Sequence, residues 1–464
     1  MQSTFGQAQK ETSSLGSLFN LDSFFSKPVG NSTSKKGSNV IEGSGNQLHG
    51  YNNRVSGKNN SLIGAQSTII GDLNKAFGMN NTIFGSQNEI IRGNNNQIKG
   101  SQNLMEGSNN TVAGNQNAVQ GHQNTLMGHR NNLKGSNNTL VGNENNVAGH
   151  NNTALGDRNT MLGNENAVNG SDNKLKGNQN AVNGNNNQVS GDQNNIKKDN
   201  NKVAGSQNNV DGNNNTLVGS QNTLNGDLNS VKGNLNNVNG SQNLVAGNQN
   251  LVNGSQNAVG GSNNTVDGHK NMVLGDQNIL KNAHQNKVNG SQNIITNGSN
   301  NAIQGSQNKV TGHGNKLMTH HSTVEGNKNE MMGKNLQVKG NENLVKGSNS
   351  TVIGSNNHLL GQGNIVLGNK NNNTGSNNTI KGEMNNAAGD RNNIDGRINN
   401  VMGYDNNITG DINTVLGDTN NVNGSENKVA GNRNDVKGNT NILKGSDNKI
   451  SGDQNLLQGN KSTI

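Results

Sequence analysis

Residues 205–239 read Gly205-SQNNVD, Gly212-NNNTLV, Gly219-SQNTLN, Gly226-DLNSVK and Gly233-NLNNVN. The unit is a glycine, two variable polar residues, an asparagine, a variable residue, an aliphatic and a last variable residue. It runs outward in both directions. Gly43 to Gly459 spans 416 residues, which is 59 sevens with three residues over. The extra residues fall near Arg92, near Ala283 and at Asn297. Glycine gives way at the head of a unit to Lys198, Asn282 and Thr319, and the asparagine to Ser67, Ser322, Leu336, Ser350 and Ser462. The aliphatic slot turns polar once, at Asn373.

Composition taken without order points elsewhere. The chain has 464 residues, +8 formal charge, 65 Gly, 1 Pro and no Cys or Trp, and 26% of it is hydrophobic. So few apolar residues suggest a disordered polar chain, but a disordered tract has no reason to keep phase for 400 residues. Repetition therefore outranks composition. The absence of cysteine excludes a disulfide framework and thiolate metal sites. No apolar run reaches the ~18–20 residues of a membrane-spanning helix.

A seven-residue period on a helix would need two apolar positions per heptad. Here there is one, beside a glycine that costs a helix about 1 kcal/mol relative to alanine. Helix is excluded. The remaining solution is a short strand and a corner: in Asn-x-Val-x the Asn and Val share one face and the two x residues the other, and glycine turns the chain. Two units close a 14-residue coil. About 30 coils at ~4.8 Å would stack into a rod of about 140 Å, each coil stable only on its neighbours. The fold class is all-β, a parallel β-solenoid over residues 37–464. An inward asparagine left unpaired would cost about 1–3 kcal/mol, so the amides are expected to bond from coil to coil in a ladder. Serine fits such a ladder and Leu336 should interrupt it.

The unit x-x-N-x-V-x-G resembles the repeat of the grass ice-recrystallisation-inhibition (antifreeze) proteins across residues 43–464. It is also similar in pattern to the heptads of trimeric autotransporter adhesin heads, G-x-x-[SN]-x-[AV]-x. The resemblance implies a left-handed parallel β-roll with 14 residues per coil, and, through the grass proteins, a flat ice-binding array of Thr, Ser and Val.

Alternate units fall on opposite faces. On one face Thr68, Thr82, Thr111, Thr125, Thr139 and Thr153 occupy the fifth position in six of seven successive coils, interrupted by Gln97. Two residues on lie Ile70, Phe84, Ala113, Met127, Val141 and Leu155, with Lys99 the exception. This predicts an outward stripe of Thr and apolar groups roughly 30 Å long at ~4.8 Å per coil. It could bind ice, reflect only the β-propensity of Thr, or mark a protein contact. Bulky Phe84 and Met127 make it uneven, and later coils put Asp267, Glu325, Lys339 and Lys381 on the same face. The other face has Thr at Thr160, Thr216 and Thr414 and reads as solvated surface.

Residues 1–36 do not repeat and hold four of the six Phe and the single proline, Pro28. Leu15, Leu18, Phe19, Phe24 and Phe25 suggest a cap over the first coil or a docking segment. The chain ends inside a unit, which would suit end-to-end self-association into a rod or filament. No catalytic constellation, cofactor motif or calcium repeat occurs: His320-His321 sits at a degenerate corner, and His122, His129 and His150 at turns. Lysines spread along a rod without aromatics do not suit nucleic acid. The expected partners are thus an ice surface or further copies of the chain. The start MQSTFGQAQKE lacks the features of a secretory signal, so a cytoplasmic location is expected.

Overall fold

The computed structural model describes residues 32–34, 37–320, 323–325, 329–334, 337–423, 428–430, 435–438, 442–445, 449–452, 454 and 456–458. Leu15, Leu18, Phe19, Phe24, Phe25 and Leu336 lie outside them. The described residues contain strands, corners and no helix. Nearly every strand is three residues long, because each seven-residue unit spends its other four on the turn. The chain divides into two units, Met1–Asn234 and Leu235–Ile464.

In the first unit, strands run from Ser32–Ser34 to Ser230–Lys232, and within it a strand pairs in parallel with the strand two further along the chain. Thr111–Ala113 lies between Gln97–Lys99 and Thr125–Met127. Ala118–Gln120 lies between Leu104–Glu106 and Asn132–Lys134. Two sheets therefore alternate along the sequence. The pairing begins at Ser32–Ser34, which matches Gln47–His49, a few residues before the expected start of the solenoid. The second unit repeats the arrangement from Asn237–Asn239 to Leu456–Gln458.

In nearly every strand whose burial is described, the central residue points inward. Ile98, Val112, Leu126 and Leu140 form one inward column of the first unit, and Met105, Val119, Leu133 and Val147 the facing one. Val252, Val266, Leu280 and Ile295 do the same in the second unit. Two residues before the central aliphatic an asparagine is buried as well, as at Asn96, Asn110, Asn124 and Asn138, with Ser67 and Ser350 buried in the same place.

Asn117 shows how that burial is tolerated. Its Nδ2 donates to Asn103 Oδ1 at 3.0 Å and to the Gly128 carbonyl at 2.8 Å. Its Oδ1 accepts from both the backbone N–H and the Nδ2 of Asn131, each at 3.0 Å. Two donors and two lone pairs are all the amide has, and all are used. Serine keeps the backbone half of this pattern: Asn81 N donates to Ser67 Oγ at 3.1 Å, and Asn364 N to Ser350 Oγ at 3.2 Å.

The corner holds a feature that glycine alone does not explain. Gly128 has φ of 138°, and a Cβ added there would lie 1.9 Å from the Gly142 carbonyl oxygen. Two residues on, Arg130 has φ of 57°, and the equivalent Gln116 and Glu144 have 63° and 59°. The third residue of the unit sits in the left-handed region that side-chain-bearing residues avoid at about 1–2 kcal/mol each. Stacking maintains it. Within the unit from Gly114, Gly114 N donates to Lys99 O at 2.8 Å and Gln116 N to Ser101 O at 3.0 Å. Asn115 N donates to His129 Nδ1 at 3.0 Å, Asn117 N to Asn103 Oδ1 at 3.0 Å, and Ala118 N to Asn131 O at 2.9 Å. Each of these N–H groups finds an acceptor in an adjoining coil, as buried backbone requires.

The three extra residues are absorbed locally. Near Arg92 the strand lengthens to Glu89–Arg92 and the register slips between Met105 and Glu106. Near Ala283 the sequence assignment needs correction: the Ala283 carbonyl accepts from Asn271 Nδ2 at 2.7 Å, the place of a unit-heading glycine. Asn282, expected as the glycine substitute, is instead the inserted residue, and its Nδ2 donates to Oδ1 of Asn297, the next insertion, at 3.2 Å. Lys198 does replace a glycine, with φ of 70°.

Two outcomes follow for stability. Replacing Asn117 by Leu strands partners on three sides and is expected to destabilise by about 2–4 kcal/mol, whereas Asn117→Ser should cost less. Hydrogen exchange at Asn131 N–H, which loses its acceptor only in the first variant, reads the difference. Asn373 is fully buried in an aliphatic slot with Nδ2 unbonded, its Oδ1 accepting from Asn378 Nδ2 at 2.9 Å. Asn373→Val should stabilise the second unit by about 1–2 kcal/mol, seen as slower exchange in the flanking strands.

Candidate functional site: the outward threonine face

Because inward positions are filled by the ladder and the aliphatics, what a coil presents to its surroundings is set by the fifth and seventh residues of each unit. In the first unit the register brings the predicted threonines side by side. Thr68 is directly opposite Thr82, and Gln97 stands between Thr82 and Thr111. Beyond the gap, Thr111, Thr125, Thr139 and Thr153 follow in an unbroken series. The seventh positions run in the same order: Ile70 opposite Phe84, then Lys99, then Ala113, Met127, Val141 and Leu155.

Thr111, Thr125 and Thr139 are exposed, and Thr68, Thr82 and Thr153 half-buried. In the parallel row Ala113 and Val141 are half-buried, while Ile70 is 38% exposed and Phe84 and Met127 reach 45% and 49%. The most regular portion is therefore Thr111 to Thr153. Met127 stands out of it, as Phe84 does from the part before Gln97, and Leu155 ends the row exposed.

The corner beyond the seventh residues is a polar rail. Gln116 Nε2 donates to Gln102 Oε1 at 3.1 Å, Arg130 meets Glu144 at 2.5 Å, and Arg158 donates through Nε and Nη2 to Asp172 at 2.6 and 2.7 Å. The Arg158 hydrogen bond holds the Asp172 carboxyl below its ordinary range. These pairs are solvated and add little to stability, but they leave few free charges beside the stripe. On the opposite corner His122 Nδ1 accepts from Ser108 N at 3.0 Å and His150 Nδ1 from Ser136 N at 3.1 Å. The histidines thus cap backbone N–H groups, a role that their turn positions did not announce. Among the described residues no group of three or more His, Asp or Glu could hold a metal ion, and no helix is long and apolar enough to cross a membrane. His320 ends the strand Lys316–His320, and His321 lies outside the described residues.

Exposed apolar side chains are not confined to the threonine face. On the other face of the first unit Leu162 and Val218 are 47% and 49% exposed, so that face is less uniformly polar than the sequence suggested. In the second unit Thr351 and Ile353 pair with Ile365 and Leu367, which pair with Thr379 and Lys381. This shorter Thr and aliphatic set was missed because only the longest threonine run stood out.

A family model described as a grass antifreeze beta roll matches residues 49–149, 142–233, 199–282, 261–354 and 374–464. Comparison with curated proteins gave no match. Since their side chains point outward, replacing Thr111, Thr125 and Thr139 together by Lys is expected to leave the fold intact. The β circular dichroism signal and the exchange protection of Asn124 and Asn138 should match the wild type.

Proposed function

The chain belongs to the grass antifreeze β-roll family, and on that ground we propose that it binds ice and inhibits recrystallisation through the stripe from Thr68 to Thr153, with Ile70, Ala113 and Val141 in the adjoining row. The role asks for no catalytic group. It asks for an outward lattice of hydroxyls and methyls that is rigid before ice arrives, so that little side-chain entropy is lost on contact.

The observation that carries the reading is the unbroken pairing of Thr111, Thr125, Thr139 and Thr153. Parallel strands repeat at about 4.8 Å, so each threonine stands at a fixed step from the next. β-branching restricts its χ1 and holds methyl and hydroxyl in a preferred orientation. The gap at Gln97 and Lys99 divides the stripe, and its longer part is the stronger contact.

Ice recrystallisation and single-crystal shaping test this directly. Changing Thr111, Thr125 and Thr139 to Lys should abolish most of the inhibition, while Gln97→Thr with Lys99→Ala joins the two parts and should lower the concentration needed. Equal crystal growth with and without the wild-type protein would remove the reading, and full activity in the triple variant would move the contact to another face.

A further inference from the structure

The chain is rich in Asn-Gly pairs, the sequence in which an asparagine side chain is most easily attacked by the following backbone nitrogen, because glycine offers no Cβ to hinder the approach. Most of them are protected here. Where the pair closes an ordinary unit, the glycine N–H is committed to the coil before it: Gly170 N donates to Leu155 O at 2.8 Å, Gly184 N to Asn169 O at 2.9 Å, Gly254 N to Asn239 O at 2.8 Å, and Gly290 N to Leu274 O at 2.8 Å.

Asn297-Gly298 differs. Asn297 is an inserted residue, and its own N–H takes the bond to Lys281 O, at 3.0 Å, that the glycine would otherwise make. The Gly298 carbonyl accepts from His284 N at 3.1 Å and Asn286 Nδ2 at 3.0 Å, but its N–H donates to no protein acceptor. Asn297 itself is exposed, while Gly298 is buried; Asn297 has φ of 51°, with its Oδ1 accepting from Asn282 Nδ2. The insertion that keeps the coil closed thus releases the one amide that the repeat normally ties down.

We propose that Asn297-Gly298 is a site of spontaneous deamidation in the folded protein, favoured over the pairs at Gly170, Gly184, Gly226, Gly254 and Gly290, whose N–H groups are bonded. The Gly298 nitrogen attacks Cγ of Asn297, and its proton leaves with the departing Nδ2 group. The new C–N bond closes a succinimide as the bond to Nδ2 breaks and ammonia leaves. Water then opens the ring at either carbonyl to give aspartate or isoaspartate at position 297. The first product adds a negative charge to the corner beside Asn282. The second also adds a methylene to the backbone of a coil already one residue over length.

The sequence supplies an internal control. Cleavage after Lys287 and Lys309 releases Val288–Lys309, which carries both Asn289-Gly290 and Asn297-Gly298. After incubation of the full-length folded protein in mildly alkaline buffer, fragmentation mass spectrometry of that peptide should show conversion at Asn297 about fivefold faster than at Asn289, the factor corresponding to one net amide hydrogen bond. In denaturant the two rates should converge, and Asn297→Gln should leave only the slow Asn289 conversion in the folded protein. Equal native rates, or faster conversion at Asn289, would overturn the proposal.

Discussion

The buried side-chain amide is the constraint on which the rest of the molecule depends. An asparagine inside a protein is expensive unless all of its hydrogen-bonding capacity is used. In this fold it is used only when an identical residue lies one coil before and another one coil after, as Asn103 and Asn131 do for Asn117. That condition fixes the coil length, the parallel direction and the register together. It explains why the extra residues, at the corners with Asn282 and Asn297 and after Ile90 in the lengthened strand Glu89–Arg92, leave the asparagines in contact: Asn286 still bonds Asn271, Asn301 still bonds Asn286 and Asn103 still bonds Asn88.

Most of this was legible in the order of the residues. The seven-residue phase excluded helix, the Asn-x-aliphatic spacing identified the inward face, and the substitutions at Ser67 and Ser350 behaved as a smaller hydrogen-bonding residue should. The corner was not legible. Its third residue takes the left-handed conformation whether it is Gln116, Arg130 or Leu228, and no residue type marks it, because contact between coils rather than local preference sustains it. The second residue was equally silent: Ser, Asn, Asp and His share little except an acceptor atom, and only the stacked structure shows that this atom receives the N–H of the preceding coil. At Ala283 the sequence alone left two ways to place one extra residue, and the carbonyl that Asn271 reaches decides between them.

For function, the same constraint separates scaffold from message. Inward positions are held to Asn and an aliphatic, and the glycine is held by the approach of the next coil's carbonyl. The fifth and seventh positions are free to vary at constant spacing. Threonine at successive fifth positions therefore becomes a lattice without any further device, and a single Gln97 becomes a defect in it. The candidate contact was visible as a run of threonines, but its uneven relief, with Phe84 and Met127 protruding, emerged only from the exposure of each side chain.

The ladder also has a direction. In Asn60, Asn74 and Asn88 one Nδ2 hydrogen goes back to the Oδ1 of the asparagine in the lower-numbered coil, and the other goes forward to the carbonyl of Gly71, Gly85 and Gly100. The Asn96, Asn110, Asn124 and Asn138 column on the facing sheet has the same sense. Dipoles aligned in this way add rather than cancel, as peptide dipoles do along a helix, and neighbouring hydrogen bonds polarise one another. The amide-to-amide bonds of each column are thus electrically oriented, an Nδ2 facing the Oδ1 of the lower-numbered coil at every step. A coil laid on backwards would meet like with like.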